Sequence, residues 1–334
     1  MHETSSITGP GGQSVLVWMY LILFGVAAGP ATTPAAAGPI QDAEPRAVQV
    51  LLDASRSDRA LLRMNAIEGA KAMPDRALPM VQLALDDPNP AVRFAALVTA
   101  GRLQLEGVGR RAQRMSADPE QPDYVRAAAI FAAHRTGHKA DLGRLAEMMY
   151  HPDLRQRSNA ALLFGLTEDP SVIPVLKDAA QQPMWRAEPL QRELVRIQIA
   201  EALLNLGEED SLKAIQGAAY SSDDEVRVLA VIMLGRAGDR SMRGNLTNFL
   251  AKDPVELRLA AAEALARIGS GEGLPVMLES AEMPRPTVRA QAAFALGQLA
   301  DNPRAAAALL QLLDDADPVV RVAAAAAVLD AIHR

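Results

Sequence analysis

The chain contains no cysteine. That removes disulfides, thiol nucleophiles, cysteine-ligated zinc and an acylated lipoprotein cysteine together. Aromatic residues are also scarce, at 4% of 334 residues, although nearly half of the chain is apolar. The apolar part is mostly Ala, Leu and Val, so the core must form from small side chains between closely spaced helices and not around a bulky centre. Positive charge is not in excess either, since 34 Lys and Arg stand against 40 Asp and Glu for a formal net charge of −6. An acidic balance gives no general attraction for a phosphate backbone, which argues against nucleic acid as a partner. No Gly-rich phosphate loop, nucleophile elbow or Ser/His/Asp constellation is present, and Gly9-Pro10-Gly11-Gly12 lacks a strand-turn-helix context. The expectation is a non-enzymatic protein with no cofactor and no metal.

Charge of either sign is missing between Glu3 and Asp42, and inside this window Val15 to Ala28 is an apolar run of fourteen residues. As a helix it rises only ~21 Å against a hydrocarbon layer of ~30 Å, which suits the apolar core of a signal peptide. Ala35-Ala36-Ala37, or Val26-Ala27-Ala28, offers small residues for cleavage, and Pro30 and Pro34 stop the helix. No Lys or Arg precedes the run, so the positive-inside rule sets no orientation, and an uncleaved anchor is the alternative. The chain accordingly divides into 1–37, a signal peptide or membrane anchor with spacer; 38–44, a linker; and 45–334, the folded body. The expected location is the periplasm or cell envelope, free or held to the membrane through Val15–Ala28.

What is abundant is repetition. The stretch Asp253 to Gly269 reads as one helix with its own signals: Asp253 to cap, Pro254 where a missing N–H costs nothing, aliphatic residues at helical spacing, and Gly269 to end it. A relative returns at Asp317 to Ala325. An arginine marks the register as Arg63, Arg93, Arg126, Arg157, Arg196, Arg227, Arg258, Arg289 and Arg321, at separations of 30, 33, 31, 39, 31, 31, 31 and 32. A hydrophobe usually precedes it (Val92, Val125, Val226, Val288) and an Ala-Ala step follows (Ala95-Ala96, Ala128-Ala129, Ala261-Ala262). Two helical segments per period of about 31 residues are the mark of a helical solenoid, whose units bury their apolar faces only against neighbours.

The Asp-Pro turn, the hydrophobe-Arg pair, the Ala-Ala step and the ending Leu234-Gly235 to Gly238 together resemble the HEAT-like repeat family, in its short phycobilisome lyase variety, from about Arg56 to Arg334. The resemblance implies an all-α, right-handed solenoid of about nine helix pairs after an N-terminal apolar helix and spacer. It also implies a scaffold that binds a protein partner, with second helices lining the concave face. The family includes bilin lyases and metal-dependent enzymes, and a bilin lyase-like or metal-dependent enzyme is the alternative function. The iron-dependent branch uses repeated His-Glu pairs, and here the only such pair is His2-Glu3.

The register arginines are expected to pair with carboxylates of the turns, Asp86, Asp118, Asp224, Asp253 and Asp317. His134 and His138, spaced like two ligands on one helix, lack the glutamate of a metalloprotease motif and straddle Gly137. The 39-residue interval places about eight extra residues near Gln181 to Glu188, and insertions in solenoids map to loops. Trp185 lies there, as a partner anchor or as the residue that packs the loop down. Tyr150 and Tyr220, each 24 residues after a register arginine, either join it in a partner-binding groove or pack on the next repeat. The last helix, Val319 to His333, has no second helix after it and is either self-covering or a docking edge.

Overall fold

The computed structural model describes residues 38–184, 187–252 and 254–334. The leader 1–37, Trp185 and Asp253 lie outside these residues. The described chain is all-helical: α1 (Pro39–Asp42), α2 (Glu44–Ala54), α3 (Ala60–Gly69), α4 (Pro74–Ala84), α5 (Pro90–Arg102), α6 (Glu106–Ala117), α7 (Asp123–Arg135), α8 (Leu142–Met148), α9 (Leu154–Gly165), α10 (Ile173–Gln181), α11 (Pro189–Asn205), α12 (Leu212–Ala218), α13 (Asp224–Ala237), α14 (Arg243–Phe249), α15 (Val255–Arg267), α16 (Leu274–Ala281), α17 (Pro286–Gly297), α18 (Pro303–Leu312) and α19 (Pro318–His333). No helix among the described residues is long and apolar enough to cross a membrane.

Local signals set the starts. Proline opens α5, α11, α17, α18 and α19, where its missing N–H has no partner to lose. Asn89, Asn302 and Asp317 cap α5, α18 and α19, with Asp317 Oδ1 accepting from the Val319 amide at 2.8 Å. Gly269 adopts φ +87° and ends α15 as its sequence requires.

Each register arginine sits at the fourth position of an odd-numbered helix, except in α11, where Arg196 is eighth. One extra helical turn thus takes up half of the expected insertion. The arginines are structural. Arg63, Arg93, Arg227, Arg289 and Arg321 donate from Nη1 to the carbonyl six residues upstream at 2.7–2.9 Å, tying each helix to the turn before it. Their carboxylate partners differ in part from expectation. Arg63 forks onto Asp87 at 2.6 and 2.8 Å and Arg289 onto Asp315 at 2.7 and 2.9 Å, while Arg227 does pair with Asp224. Asp86 pairs instead with Arg111, Asp118 accepts from Gln121, and Asp317 is occupied as a cap.

The odd helices α3 to α19 pack in sequence against one another, and α19 packs back onto α3. The solenoid therefore closes into a ring of nine inner helices. The even helices form the outer layer, each chiefly against its own inner helix. The unpaired C-terminal helix is completed from the other end of the chain: α2 lies on α19 as its second helix, with Ala47 and Leu51 fully buried. Ion pairs Arg46–Asp314 and His333–Glu44 (3.9 Å) lace this seam. Neither reading of the last helix holds, because α19 is covered by α2, α3 and α17 and is neither self-covering nor a free edge. The stretch expected as linker, 38–44, contains α1, whose Ile40 is buried at the same seam.

Candidate functional site

The C-terminal ends of the inner helices gather at one mouth of the ring, and a basin of about 830 Å³ opens there. Lys71 just after α3, Arg102 ending α5, Arg135 ending α7 and Arg236 near the end of α13 bring four cations into its lining. Glu168, Glu201 and Glu209 bring three carboxylates, and Leu103, Leu166, Leu204, Leu212 and Met233 form apolar wall. The placement follows from helix physics. Unpaired carbonyls at helix C-termini carry partial negative charge, and basic side chains in the last turn offset it. Arg135 reaches just past the end of α9, donating to the Thr167 carbonyl at 3.1 Å and to Glu168 at 2.8 Å.

The inner layer also buries polar side chains. Asn65, Glu68, Gln198, Glu201 and Gln291 are all at least 94% buried in the inner layer. Burial pushes the Glu68 carboxyl up to about 8 against the pull of Lys71 and Arg102. Neither of its oxygens has a hydrogen-bond donor among the described residues, as suits a carboxyl kept neutral. Burial likewise raises Glu201 to about 7, opposed by Arg236 at 3.8 Å. On the cationic side, desolvation and the neighbouring Arg236 lower Arg102 to about 10, and desolvation lowers Arg236 to about 10. Lys71 falls well below its usual range through desolvation and then the repulsion of Arg102 and Arg236. Lys71, Arg102 and Arg236 thus lie within electrostatic reach of one another, with Glu68 and Glu201 as opposing charges beside them.

Tyr150 and Tyr220, singled out from sequence, lie elsewhere. They are on the outer layer, 40% and 57% exposed, so the second helices do not line the inside of the ring. First helices line it, because the closed ring turns its small-residue helices inward. Tyr150 Oη donates to Asp178 of α10 at 2.7 Å, and Tyr220 accepts from Asn245 of α14 and packs on Phe249 with ring centroids 5.8 Å apart. Both tyrosines bridge to the next repeat. Trp185 is outside the described residues. His134 sits 3.6 Å from Asp169, while a ring nitrogen of His138 is 2.9 Å from the Thr136 carbonyl. No group of three potential ligands for a metal ion occurs among the described residues.

Part of the basin lies in a second sequence column. Its Arg102, Arg135 and Arg236 each stand nine positions after a register arginine, as Arg267 does outside it, and its Glu201 stands five positions after one, as Glu68 and Glu263 do. This second column is the signal that the first one overshadows.

A ring of two-helix units, closed by its own N-terminal helix, defines an all-α repeat protein. Residues 245–329 match the HEAT repeats family, and the same register recurs through the other units. Residues 245–329 are thus a stretch of HEAT repeats, and the helix pairs before them share its register. Among solved structures the chain is similar to the complex of CpcE and CpcF of phycocyanin lyase from Nostoc sp. PCC7120, with 18% identity, a TM-score of 0.41, and 73% of this chain and 91% of that one covered. It is also similar to human deoxyhypusine hydroxylase in complex with glycerol, with 19% identity, a TM-score of 0.38, and 88% and 98% covered. No residue role passes from these likenesses to this chain. Comparison with curated proteins gives no match.

Proposed function

We propose that this protein is a non-catalytic scaffold whose rigid ring engages a protein partner by seating an anionic group of that partner in the hub basin. The observation that carries the reading is the convergence of Lys71, Arg102, Arg135 and Arg236, from four different repeats, on one cavity walled by leucine. Its size falls in the range of sites that enclose a ligand group, about 300–1,000 Å³. Rigidity supports the same reading, since a preformed site loses little entropy on binding. The polar groups of the basin are tied to helix ends and to one another, which suits holding a ligand better than transforming it. Export belongs to the same proposal and rests on the leader Val15–Ala28.

A photo-crosslinking residue placed at Leu166 or Leu212 on the basin wall, and separately at Tyr220 on the outer layer, tests the reading in cells. Crosslinks to one protein from the wall positions alone are expected; crosslinks from Tyr220 alone move the interface to the outer surface. Fractionation with N-terminal mass spectrometry tests export. A mature start near Gly29 or Gly38 in the exported fraction is expected, and an intact leader in the cytosol overturns it.

A further inference from the structure

We infer that the pocket between α7, α8 and the start of α9 is a binding site for a single carboxylate, a group that the chain supplies for itself in other repeats and omits in this one. The pocket lies toward the N-terminal ends of the inner helices, away from the basin, and the inference goes beyond the reading above.

The repeats serve as controls for one another. In two of them the turn before an inner helix carries an aspartate two positions ahead of the cap, and its carboxylate does two jobs. Asp87 accepts from the Asn89 amide at 2.8 Å and takes Nε and Nη2 of Arg63 at 2.6 and 2.8 Å. Asp315 accepts from the Asp317 amide at 2.8 Å and takes Nε and Nη2 of Arg289 at 2.7 and 2.9 Å. Before α9 the same position, two ahead of the cap Asp153, is His151. It does the first job, with Nδ1 accepting from the Asp153 amide at 3.0 Å. It cannot do the second. An Nδ1 that accepts leaves the imidazole proton on Nε2, so the side chain has only a donor left to offer.

Arg126 of α7 registers the change. Its Nη2 turns to Asp123 in its own helix, and its Nε is buried with no acceptor among the described residues. A buried donor left unmade costs its full desolvation, so an acceptor there gains more than it would at the surface. Arg258 Nε is buried in the same state, but Glu279 stands 3.7 Å from the Nη2 of that side chain. Beside Arg126 a pocket of about 180 Å³ opens, lined also by His151 and by Arg144 and Glu147 of α8. That is below the range of about 300–1,000 Å³ for sites that enclose a whole ligand, so the pocket takes a functional group. Arg126, Arg144 and the His151 Nε2–H supply donors, and charge-assisted contacts favour a carboxylate over a neutral acceptor. Asp123 is committed to Arg126 and Glu147 is exposed, and both oppose a phosphate dianion more strongly than a single negative charge.

Nuclear magnetic resonance of the full-length chain tests this through the Arg126 Nε–H signal, assigned by its loss in Arg126→Lys. The probes are acetate, acetamide, inorganic phosphate and an aspartate residue capped at both ends. Acetate is expected to shift the signal saturably and to bind at least about tenfold more tightly than acetamide, and more tightly than phosphate. His151→Asp returns the carboxylate to its place in the repeat, and should raise the midpoint of thermal unfolding and abolish the response to acetate. Arg144→Gln should weaken acetate binding and leave the unfolding midpoint unchanged. Equal binding of acetate and acetamide, tighter binding of phosphate, or an acetate response that survives His151→Asp each overturns the inference. Binding of the capped aspartate supports it and assigns the carboxylate to an acidic side chain of a protein, whereas binding of acetate alone supports it with a small free acid as the source. No saturable shift with any probe overturns the site and leaves the basin reading untouched, since that rests on the opposite ends of the inner helices.

Discussion

The nine inner and nine outer helices draw on the same small aliphatic residues and use them in opposite ways. In α19 every residue from Val319 to Ala331 except Arg321 is buried, while in α8 only Leu145 is and in α12 only Ile215. An inner helix meets neighbours on all sides, so its spacing is set by backbone approach. An outer helix meets chiefly its own partner, and one face stays in water. Packing tolerance should therefore differ between layers, and the seam, where one outer helix comes from the far end of the chain, is the place where the ring itself is at stake.

The largest effect is expected there. Leu51 of α2 is fully buried against the ring, and Leu309 of α18 is the equally buried residue of a chain-continuous outer helix. Leu51→Ala and Leu309→Ala should each cost about 2–5 kcal/mol by lost burial and residual cavity. The two differ in what opens: hydrogen exchange in α19 should accelerate in Leu51→Ala more than in Leu309→Ala. Equal protection of α19 in both would mean that closure does not depend on α2.

Glycine sharpens the contrast between layers by changing the sign of one substitution. A Cβ on Gly235 in α13 would lie 2.6 Å from Ala264 Cα of α15, a backbone atom with no rotamer to yield. Gly235→Ala should destabilise by about 1–3 kcal/mol through overpacking. On Gly217 in the outer helix α12 a Cβ meets nothing within 4 Å. Gly217→Ala should stabilise by about 0.5–1 kcal/mol through helix propensity. Thermal or denaturant unfolding of the two variants reads both signs, and the same sign in both would erase the distinction between the layers.

Much of this was legible beforehand, and the divide is physical. Period, helix pairing and unit count follow from Arg63 to Arg321, because each unit is specified by local spacing, capping and small residues. Closure is not local. It accumulates from a small rotation per unit, and no residue announces that α2 will meet α19. Layer assignment failed for the same reason, since two helices per period do not say which one faces in until the ring has closed. The basin escaped notice for another reason: Arg102, Arg135 and Arg236 near helix ends are ordinary on their own, and only convergence makes them a site. Tyr150 and Tyr220 stood out as rare aromatics, yet each is occupied by the neighbouring repeat.

The hub adds a pH dependence of its own. Glu68 titrates near 8 in the folded chain against an ordinary value of 4.5, so the folded state holds the proton more tightly than the unfolded state between these values. Stability contributed by this group is full below about pH 4.5 and is lost as pH rises toward 8. Glu68→Gln, which cannot ionise, should leave stability nearly unchanged at pH 5 and raise it by about 2–4 kcal/mol at pH 8.5. Unfolding curves at the two pH values check this. A variant equally destabilised at both would show that the carboxyl acts by shape or hydrogen bonding and not by its proton.

The smallest effect belongs to the outer layer. Tyr220→Phe deletes the hydroxyl that accepts from Asn245 and keeps the ring on Phe249. Because the hydroxyl is exposed, water replaces the lost partner, and the change should stay within about 0.5 kcal/mol. The comparison matters more than the value. Tyr220→Ala also removes the ring, and should cost about 1 kcal/mol more than Tyr220→Phe if the aromatic pair holds α14 to its neighbour. Unfolding of the two variants separates these contributions. Should Tyr220→Ala be as mild as Tyr220→Phe, the exposed ring has no structural duty, and the outer surface would regain its claim as a place where a partner docks.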